Sequence, residues 1–284
     1  PPSAANVICR IENPVDHECP NQGGLLRPLR ESSDLFRVSL TDAAFAVADL
    51  KPGESVLDIG CGGGATTLRA ATLVGETGRA VGVDISRSLL DLARARAAGR
   101  GNVAFHDADA GAASIPGAPF DAALSRFGVM FFDDPAAAFA NIRRALAPGG
   151  RLVFACWRPF AENLWSAEPL AALSPLLTAP LAPPDPDAPG PFALADAGKI
   201  NRILDQAGWH DLSIMPWDGK VAVGRDAHEA AAFLIKIGPC ARAINEQNLD
   251  ADRAKQLLVD FLRPHERPNG VTRPAACWIV RAYA

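Results

Sequence analysis

Short apolar runs alternate with amphipathic stretches through the first half of the chain, and this alternation predicts strands and helices in turn. The run from Ser55 to Ile59 ends at a glycine, as buried parallel strands often do. The predicted strands cover residues 55–59, 80–83, 102–106, 120–125 and 151–156, and the predicted helices cover residues 33–47, 65–74, 86–98 and 135–146. Because each strand is followed by a helix, the pattern predicts crossover connections and an α/β, doubly wound, mostly parallel sheet.

The pattern is less regular after residue 156. Seven prolines fall between Pro175 and Pro191, within a segment over 157–192 that is also rich in aromatic residues. A segment of this kind is typical either of a surface loop or of a structured cover over a site, and both interpretations stay open. Further helices are predicted over 196–207, 226–237 and 251–262, and further strands over 210–217 and 275–282.

These elements divide the chain into six segments. Residues 1 to about 30 show no sustained periodicity, which predicts a poorly ordered N-terminal arm, and we expect residues 1 to about 25 to contribute little to stability. The predicted division is the arm over 1–32, a core over 33–156, a lid insertion over 157–195, the core continued over 196–225, a helical lid over 226–269 and the last core strand in 270–284.

Composition and charge narrow the classes of function. A formal charge of −4 disfavours a nucleic-acid partner, because each phosphate contact needs Lys or Arg. The apolar runs stay shorter than the roughly 18 residues of a membrane-spanning helix, and the first ten residues show no signal peptide. We therefore expect a cytoplasmic protein that acts on a small molecule, with neither a membrane nor a nucleic acid as partner.

The six cysteines lie far apart and form no CxxC pair. This spacing argues against a metal site and for reduced thiols. The six are Cys9, Cys19, Cys61, Cys156, Cys240 and Cys277.

The stretch VLDIGCGGG at 56–64 carries the most chemical information. Glycines at a strand-to-helix turn let the backbone approach a ligand where a Cβ would collide with it. Asp58 lies two residues before Gly60, and a buried carboxylate there would repel a pyrophosphate bound at the next helix N-terminus. A ligand that carries an ammonium and a sulfonium would tolerate that carboxylate.

Other polar residues follow the neighbouring predicted strands. Asp84 ends the second strand, where a carboxylate either accepts hydrogen bonds from ribose hydroxyls or favours the dipole of the next helix. Asp109 follows the third strand and is either an acceptor for an adenine amino group or a plain loop carboxylate. Ser125 ends the fourth strand. All of these positions lie at the carboxyl ends of parallel strands, where ligands bind in open α/β sheets.

The motifs VLDIGCGGG, VGVDIS, HDADA, FDAALSRFGVMFF and RRALAPGGRLVFACW, within about residues 33–158, resemble those of class I S-adenosylmethionine-dependent methyltransferases. They are most similar to the group related to the ubiquinone and menaquinone biosynthesis methyltransferases. The resemblance implies a Rossmann-like, mostly parallel seven-stranded sheet with lid insertions. It also implies S-adenosylmethionine as cofactor and a small molecule as methyl acceptor.

The resemblance further implies which residues hold the cofactor. It assigns the methionine end to Asp58, Gly60, Gly62 and Gly64, and the ribose to Asp84 and Ile85. It assigns adenine to Asp109 and Ala110, and the sulfonium side to Ser125, Arg126 and Phe127. Methyltransferases that act on amino groups of nucleobases or glutamine carry an Asn/Asp-Pro-Pro-aromatic loop where this chain has Ser-Arg-Phe-Gly. That departure disfavours such substrates. Cys61, inside the glycine turn, is interpreted as a small buried residue.

No motif assigns a catalytic base, and the identity of that base stays open. His106, at the end of the third strand, is one candidate. Arg126 is a second candidate, and it either orients an acidic or carbonyl-bearing acceptor or pairs structurally with Asp133 or Asp134.

Two other functions compete with methyl transfer. An NAD(P)-dependent oxidoreductase would share the sheet and a relaxed glycine turn, but Tyr283 is the only tyrosine, so a Tyr-Lys pair for hydride transfer is missing. A catalytically silent S-adenosylmethionine-binding protein is the other alternative. The two lid segments carry aromatic residues that suit an apolar or aromatic acceptor, namely Phe160, Trp165, Phe192, Phe233 and Phe261. A satellite core is the competing explanation for each of them, and the acceptor atom and oligomeric state are left open.

Overall fold

A computed structural model describes residues 38–181 and 188–284. The predictions made for the arm over 1–32 and for the first helical residues from Ser33 lie outside the described residues. The described part of the first helix, α1, spans Val38–Ala48 and buries Leu40 and Phe45 against the sheet.

The described strands form one sheet in the order β3-β2-β1-β4-β5-β8-β6, and a two-residue strand, β7, pairs with β8 beside this path. Strands β1 to β5 pair in parallel, whereas β8 is antiparallel to β5 and β6. The prediction of a doubly wound, mostly parallel sheet is confirmed. The strands are β1 (Ser55–Ile59), β2 (Arg79–Asp84), β3 (Val103–Asp107), β4 (Phe120–Arg126), β5 (Leu146–Trp157), β6 (His210–Gly224), β7 (Glu266–Arg267) and β8 (Gly270–Tyr283).

Helices pack on the sheet and on one another to close the core. Helix α2 packs on β1 and β2, α3 packs on β3, and α6 packs against α4 and β6. None of the described helices is long and apolar enough to cross a membrane. Beyond α1, the helices are α2 (Ala65–Val74), α3 (Arg87–Arg96), α4 (Pro135–Arg144), α5 (Leu164–Ala172), α6 (Ala197–Gln206), α7 (Ala227–Leu234), α8 (Gly238–Glu246) and α9 (Ala251–Leu262).

Several predicted boundaries are wrong for identifiable reasons. The helix predicted to end at Leu146 ends at Arg144, because Leu146 already pairs with Phe120 at the start of β5. The helix predicted over 226–237 stops at Leu234, and a separate helix, α8, begins at Gly238. Gly238 has a φ of 57°, and a proline follows it in the first turn of α8, where proline is favoured.

Strands β6 and β8 are each longer than predicted. Pro216, Gly219 and Pro274 lie inside these strands, although proline and glycine are unfavourable there. In the structure the two strands pair as far as Gly224 and Val271. Long-range pairing therefore overrides the local preference of these residues.

The ribbon formed by β6 and β8 projects past the carboxyl end of the parallel sheet. Strand β5 ends at Trp157, which pairs with Cys277, so residues 270–276 of β8 lie beyond that end. Helices α7, α8 and α9 connect the two strands of the ribbon, and α5 packs against β8, α8 and α9. We call the assembly of α5, α7, α8, α9 and the ribbon over 217–224 and 270–277 the cap.

Candidate cofactor-binding site

The predicted site residues on β1, β2 and β4 meet at the carboxyl edge of the sheet. Asp58 on β1 pairs in register with Gly82 of β2 and Leu124 of β4. The turn after β1 bonds to β2 as well, since the Val83 carbonyl accepts from the Gly60 N–H at 2.9 Å. The three strand ends that were expected to share a site therefore do lie side by side.

The glycine turn has the left-handed backbone that glycine adopts without a steric penalty. The φ values are 64° at Gly60, 52° at Gly62 and 80° at Gly64. A Cβ at Gly64 would lie 2.9 Å from Ala93 Cβ and from Phe105 Cζ, so this glycine is needed for close packing of the turn on α3 and β3. The N-terminus of α2 follows directly and has no side-chain cap, which leaves backbone N–H groups at the site.

Asp58 is a buried carboxylate with one clamped and one unpartnered oxygen. It is 1% exposed, and its Oδ2 accepts from the hydroxyls of Thr66 and Thr67, each at 2.6 Å. Its Oδ1 is also buried and finds no hydrogen-bond partner among the described residues. Burial raises the pKa of Asp58 to about 6, against the lowering effects of the two threonines and of Arg126. An ammonium group would satisfy Oδ1, so the residue fits the methionine end of the predicted cofactor.

Asp84 accepts two backbone hydrogen bonds that hold its carboxylate in place. Its Oδ2 accepts from the Gly62 N–H and its Oδ1 from the Ser86 N–H, both at 2.8 Å. Burial raises the pKa of Asp84, while these N–H groups oppose the rise. Each oxygen keeps a further lone pair, so the carboxylate can still accept from two ribose hydroxyls. Ile85 is half-buried beside it, and the contacts of both residues to the ribose stay predictions.

Ser125 and Phe127 shape the loop after β4. The Ser125 hydroxyl donates to the Ile59 carbonyl at 2.9 Å and accepts from the Gly128 N–H at 3.2 Å, which ties β4 to β1. Phe127 has a φ of 69°, a conformation that costs a residue with a side chain about 1–2 kcal/mol. Its ring stacks on Trp157 with centroids 4.3 Å apart. That strained backbone is therefore supported by a buried aromatic contact.

Arg126 is half-buried and directed to α1, where its Nη1 donates to the Thr41 hydroxyl at 3.0 Å. Asp134 caps α4 by accepting from the Ala137 N–H at 3.0 Å. Whether Arg126 also orients an acceptor stays a prediction.

The predicted adenine side is organised around a tight loop. Asp109 is exposed, and its Oδ1 accepts from the Gly111 N–H at 2.8 Å, so the carboxylate holds its own loop. Ala110 is buried, and its carbonyl accepts from Asn141 Nδ2 at 2.9 Å. Contacts of Asp109 and Ala110 with adenine stay predictions.

His106 lies inside β3, in register with Val83, and is half-buried. Its neighbour Phe105 packs on Cys61, so alternation along the strand places His106 on the opposite face of the sheet. The role of His106 as a catalytic base therefore stays a prediction. Cys61 itself is buried, and burial raises the pKa of its thiol, which agrees with a packing role.

Four of the six cysteines lie among the described residues. These four are Cys61, Cys156, Cys240 and Cys277; they are buried, and none of them is joined to another described cysteine by a disulfide. Among residues 38–181 and 188–284, no group of three or more His, Cys, Asp or Glu side chains is placed to hold a metal ion.

Sequence reasoning missed several residues that build this edge. Thr66 and Thr67, which clamp Asp58, follow the glycine turn directly, so their hydroxyls at the start of a helix were a usable signal. Gly128 packs against Gly60, and Trp157 packs against Phe127. Neither pairing has a local signal, because each joins residues far apart in the chain.

Comparison with known proteins gives one domain family and a group of methyltransferase relatives. The methyltransferase domain family matches residues 56–150. The nocamycin O-methyltransferase of Saccharothrix syringae is 30% identical over 196 residues, which cover 63% of this chain and 69% of that protein. The ubiquinone/menaquinone biosynthesis C-methyltransferase UbiE of Teredinibacter turnerae is 37% identical over 110 residues, which cover 38% of this chain and 44% of UbiE. For UbiE and other curated relatives, the match thus spans less than half of the relative's own length.

Solved structures show the same fold. A crystal structure described as a putative methyltransferase from Bacillus halodurans superposes with a TM-score of 0.55 at 18% identity, covering 86% of this chain and 97% of that one. The [4+2]-cyclase SpnF superposes with a TM-score of 0.53 at 19% identity, covering 99% of this chain and 97% of that one. The chain belongs to the class I S-adenosylmethionine-dependent methyltransferases, whose cofactor is S-adenosylmethionine.

Proposed function

We propose that the protein transfers the methyl group of S-adenosylmethionine to a small apolar or aromatic molecule. The observation that carries this proposal is a row of three contacting aromatic rings that starts at the loop after β4 and runs into the cap. Phe127 stacks on Trp157, and Trp157 lies 5.0 Å from Trp165 between ring centroids. The proposed acceptor would lie beside this row, next to the sulfonium.

The start of the cap is held firmly against the sheet. Asn163 is fully buried, and its Oδ1 accepts from the Ala276 N–H at 3.0 Å and from Trp165 Nε1 at 3.2 Å. Its Nδ2 donates to the Arg158 carbonyl at 3.0 Å. All polar atoms of this side chain are used, so Asn163 orients Trp165 relative to β8.

The other predicted lid aromatics pack against the protein itself. Phe160 and Phe192 meet edge to face with centroids 5.5 Å apart. Phe261 lies under the Arg273 guanidinium at 5.5 Å, and Phe233 packs against the main core. These contacts fit the satellite-core explanation. The proposal relies instead on Phe127, Trp157 and Trp165, which are buried in the main core too but form the row that starts at the loop after β4.

The bound cofactor supplies a methyl group on a positively charged sulfur that leaves as a neutral thioether. The protein's task is to hold the acceptor about 3–3.5 Å from that methyl in line with the breaking bond, and to exclude water. Asp58 and Asp84 would orient the two ends of the cofactor. Phe127 and Trp157 would shield the reacting centre.

Two measurements test the proposal. Calorimetry with S-adenosylmethionine and with NAD should show binding of the first alone, since the buried carboxylate of Asp58 repels a pyrophosphate. Methyl transfer to a panel of phenols, quinols and carboxylates, read by mass spectrometry, should then find a methylated ring compound. Binding of NAD would favour the oxidoreductase. Cofactor binding without methylation of any panel member would favour the catalytically silent alternative.

A further inference from the structure

The expected cofactor site contains a basic residue, Arg126, and the resemblance that places it on the sulfonium side does not account for its positive charge. Asp58 pairs in register with Leu124, and Arg126 lies two residues further along β4 toward the carboxyl edge. Side chains two residues apart on a strand share a face, so Arg126 and Asp58 lie on the same face of the sheet. Adjacent strands are about 4.8 Å apart and two residues span about 6.6 Å, which is within reach of an arginine side chain.

Helix α1 holds this arginine in place. Helix α1 packs over β4, β5 and β8, and its Thr41 is buried although it is polar. The Thr41 hydroxyl accepts from Arg126 Nη1 at 3.0 Å. This bond restrains the guanidinium between α1 and the strand that carries Asp58.

We propose that Arg126 is a positioning residue for the cofactor: anchored by Thr41, it supplies the positive charge that keeps Asp58 a carboxylate ready to receive the cofactor's ammonium group. The inference rests on cofactor binding and is independent of which acceptor is methylated. It also assigns α1 a part in the cofactor site, through a contact that does not touch the cofactor.

The surroundings of Asp58 explain why such a charge is needed. Thr66 and Thr67 of α2 donate to one oxygen but carry no charge. Asp84 of β2 is a second buried carboxylate at the same edge, and its charge, like burial, raises the pKa of Asp58. Cys61 in the turn is held as a neutral thiol, since burial raises its pKa. Among these neighbours Arg126 is the cation that acts on Asp58, and it opposes the rise.

Calorimetry with S-adenosylhomocysteine at pH 6.0 and pH 8.5 tests the role without any turnover. For Arg126→Met we expect binding about five-fold weaker at pH 6.0. Asp58, with a pKa of about 6, is half ionised there, and a rise of one unit in that pKa would leave about one tenth of it ionised. At pH 8.5 the loss should fall below about two-fold, since Asp58 is ionised there with or without the arginine. Arg126→Lys keeps the charge and should stay within about two-fold at both values.

Substitutions at Thr41 and a double-variant comparison keep the test decisive. Thr41→Val should weaken S-adenosylhomocysteine binding at pH 6.0 by a smaller factor, whereas Thr41→Ser, which retains the hydroxyl, should not weaken it. This pair tests the role of Arg126 even where Arg126→Met folds poorly. In an Asp58→Asn background, Arg126→Met should have no further effect at pH 6.0. An equal loss at both pH values would overturn the proposal and indicate direct contact of Arg126 with the cofactor. Unchanged binding of Arg126→Met at pH 6.0 would overturn it as well.

Discussion

Gly60 and Gly128 approach each other so closely that neither position has room for a side chain. A Cβ on Gly60 would lie 2.7 Å from Gly128 Cα, and a Cβ on Gly128 would lie 2.9 Å from Gly60 Cα and 2.7 Å from the Ile59 carbonyl oxygen. The two glycines follow β1 and β4, so their contact closes the gap between the glycine turn and the loop that begins at Phe127.

Replacing either glycine by alanine should destabilise the protein and weaken cofactor binding. Both backbones are fixed by strands, so relief requires the strand ends to move, at a cost of about 1–3 kcal/mol. Gly60→Ala adds about 1–2 kcal/mol for its left-handed backbone. Urea unfolding and S-adenosylhomocysteine calorimetry measure the two effects. Gly99→Ala is the matched control, since Gly99 has a φ of 84° but open space around it, and it should retain full cofactor affinity. Normal binding by Gly128→Ala would show that the two loops adjust independently.

Asp84→Ala should weaken S-adenosylmethionine binding by about one to two decades. Charge-assisted hydrogen bonds contribute about 1.5–3 kcal/mol each, and the substitution also releases the Gly62 N–H. Asp107→Ala is a suitable control, because Asp107 is a carboxylate at the next strand end that pairs on the surface with Arg87 at 2.6 Å. Its affinity should stay within about two-fold. Equal affinity of folded Asp84→Ala and the unmodified protein would remove Asp84 from the ribose site.

The stability of the cofactor-free protein should depend on the titration of Asp58. Its pKa is about 6 in the folded state and near the ordinary 3.8 in the unfolded chain, so the folded state binds more protons between these values. The free energy of unfolding therefore loses this contribution as pH rises from about 4 to 6. Asp58→Asn lacks that loss, so its stability relative to the unmodified protein should improve between pH 4.5 and 7. A difference between the two proteins that does not change with pH would contradict the assignment.

Trp165→Leu should separate acceptor binding from cofactor binding. Trp165 extends the aromatic row into the cap, and Trp157 lies between it and the loop after β4. We expect S-adenosylhomocysteine affinity within about two-fold and a clear drop in kcat/KM with the aromatic acceptor. Phe160→Leu, in the same segment but packed on Phe192, should leave kcat/KM nearly unchanged. A large loss of cofactor affinity in folded Trp165→Leu would mean that the cap supports the cofactor site instead.

Removal of the whole segment over 157–192 would test the acceptor site less cleanly than single substitutions would. Trp157 belongs to β5, and Trp165 and Leu173 are buried in the main core. A short linker in place of this segment would expose apolar surface and unfold part of the sheet edge. Single substitutions are therefore the sharper experiment.

The sequence predicted β1 and α2 well because the signals that define them are local. Strand β1 and helix α2 have the predicted bounds, since one apolar run and one glycine turn define them. The cap was predicted poorly for the opposite reason. The strand residues from Trp217 to Gly224 are stabilised by pairing with residues 271–277 of β8. Helix α8 is separated from α7 by the extended backbone of Ile237 and the positive φ of Gly238. The clamp on Asp58 and the anchor on Arg126 likewise depend on neighbours that only the folded chain brings together.

Because the ribbon projects beyond β5, the proposed function places the cofactor site before Trp157 and the acceptor site after it. The hydrogen bonds described for Asp58 and Asp84 come from residues 62–86, whereas Asn163 and Trp165 belong to the part that starts after Trp157. Redesign can therefore treat the two parts separately. A library confined to the cap-facing positions after Trp157 would vary the acceptor while the cofactor half is left untouched, and a library before Phe127 would do the reverse.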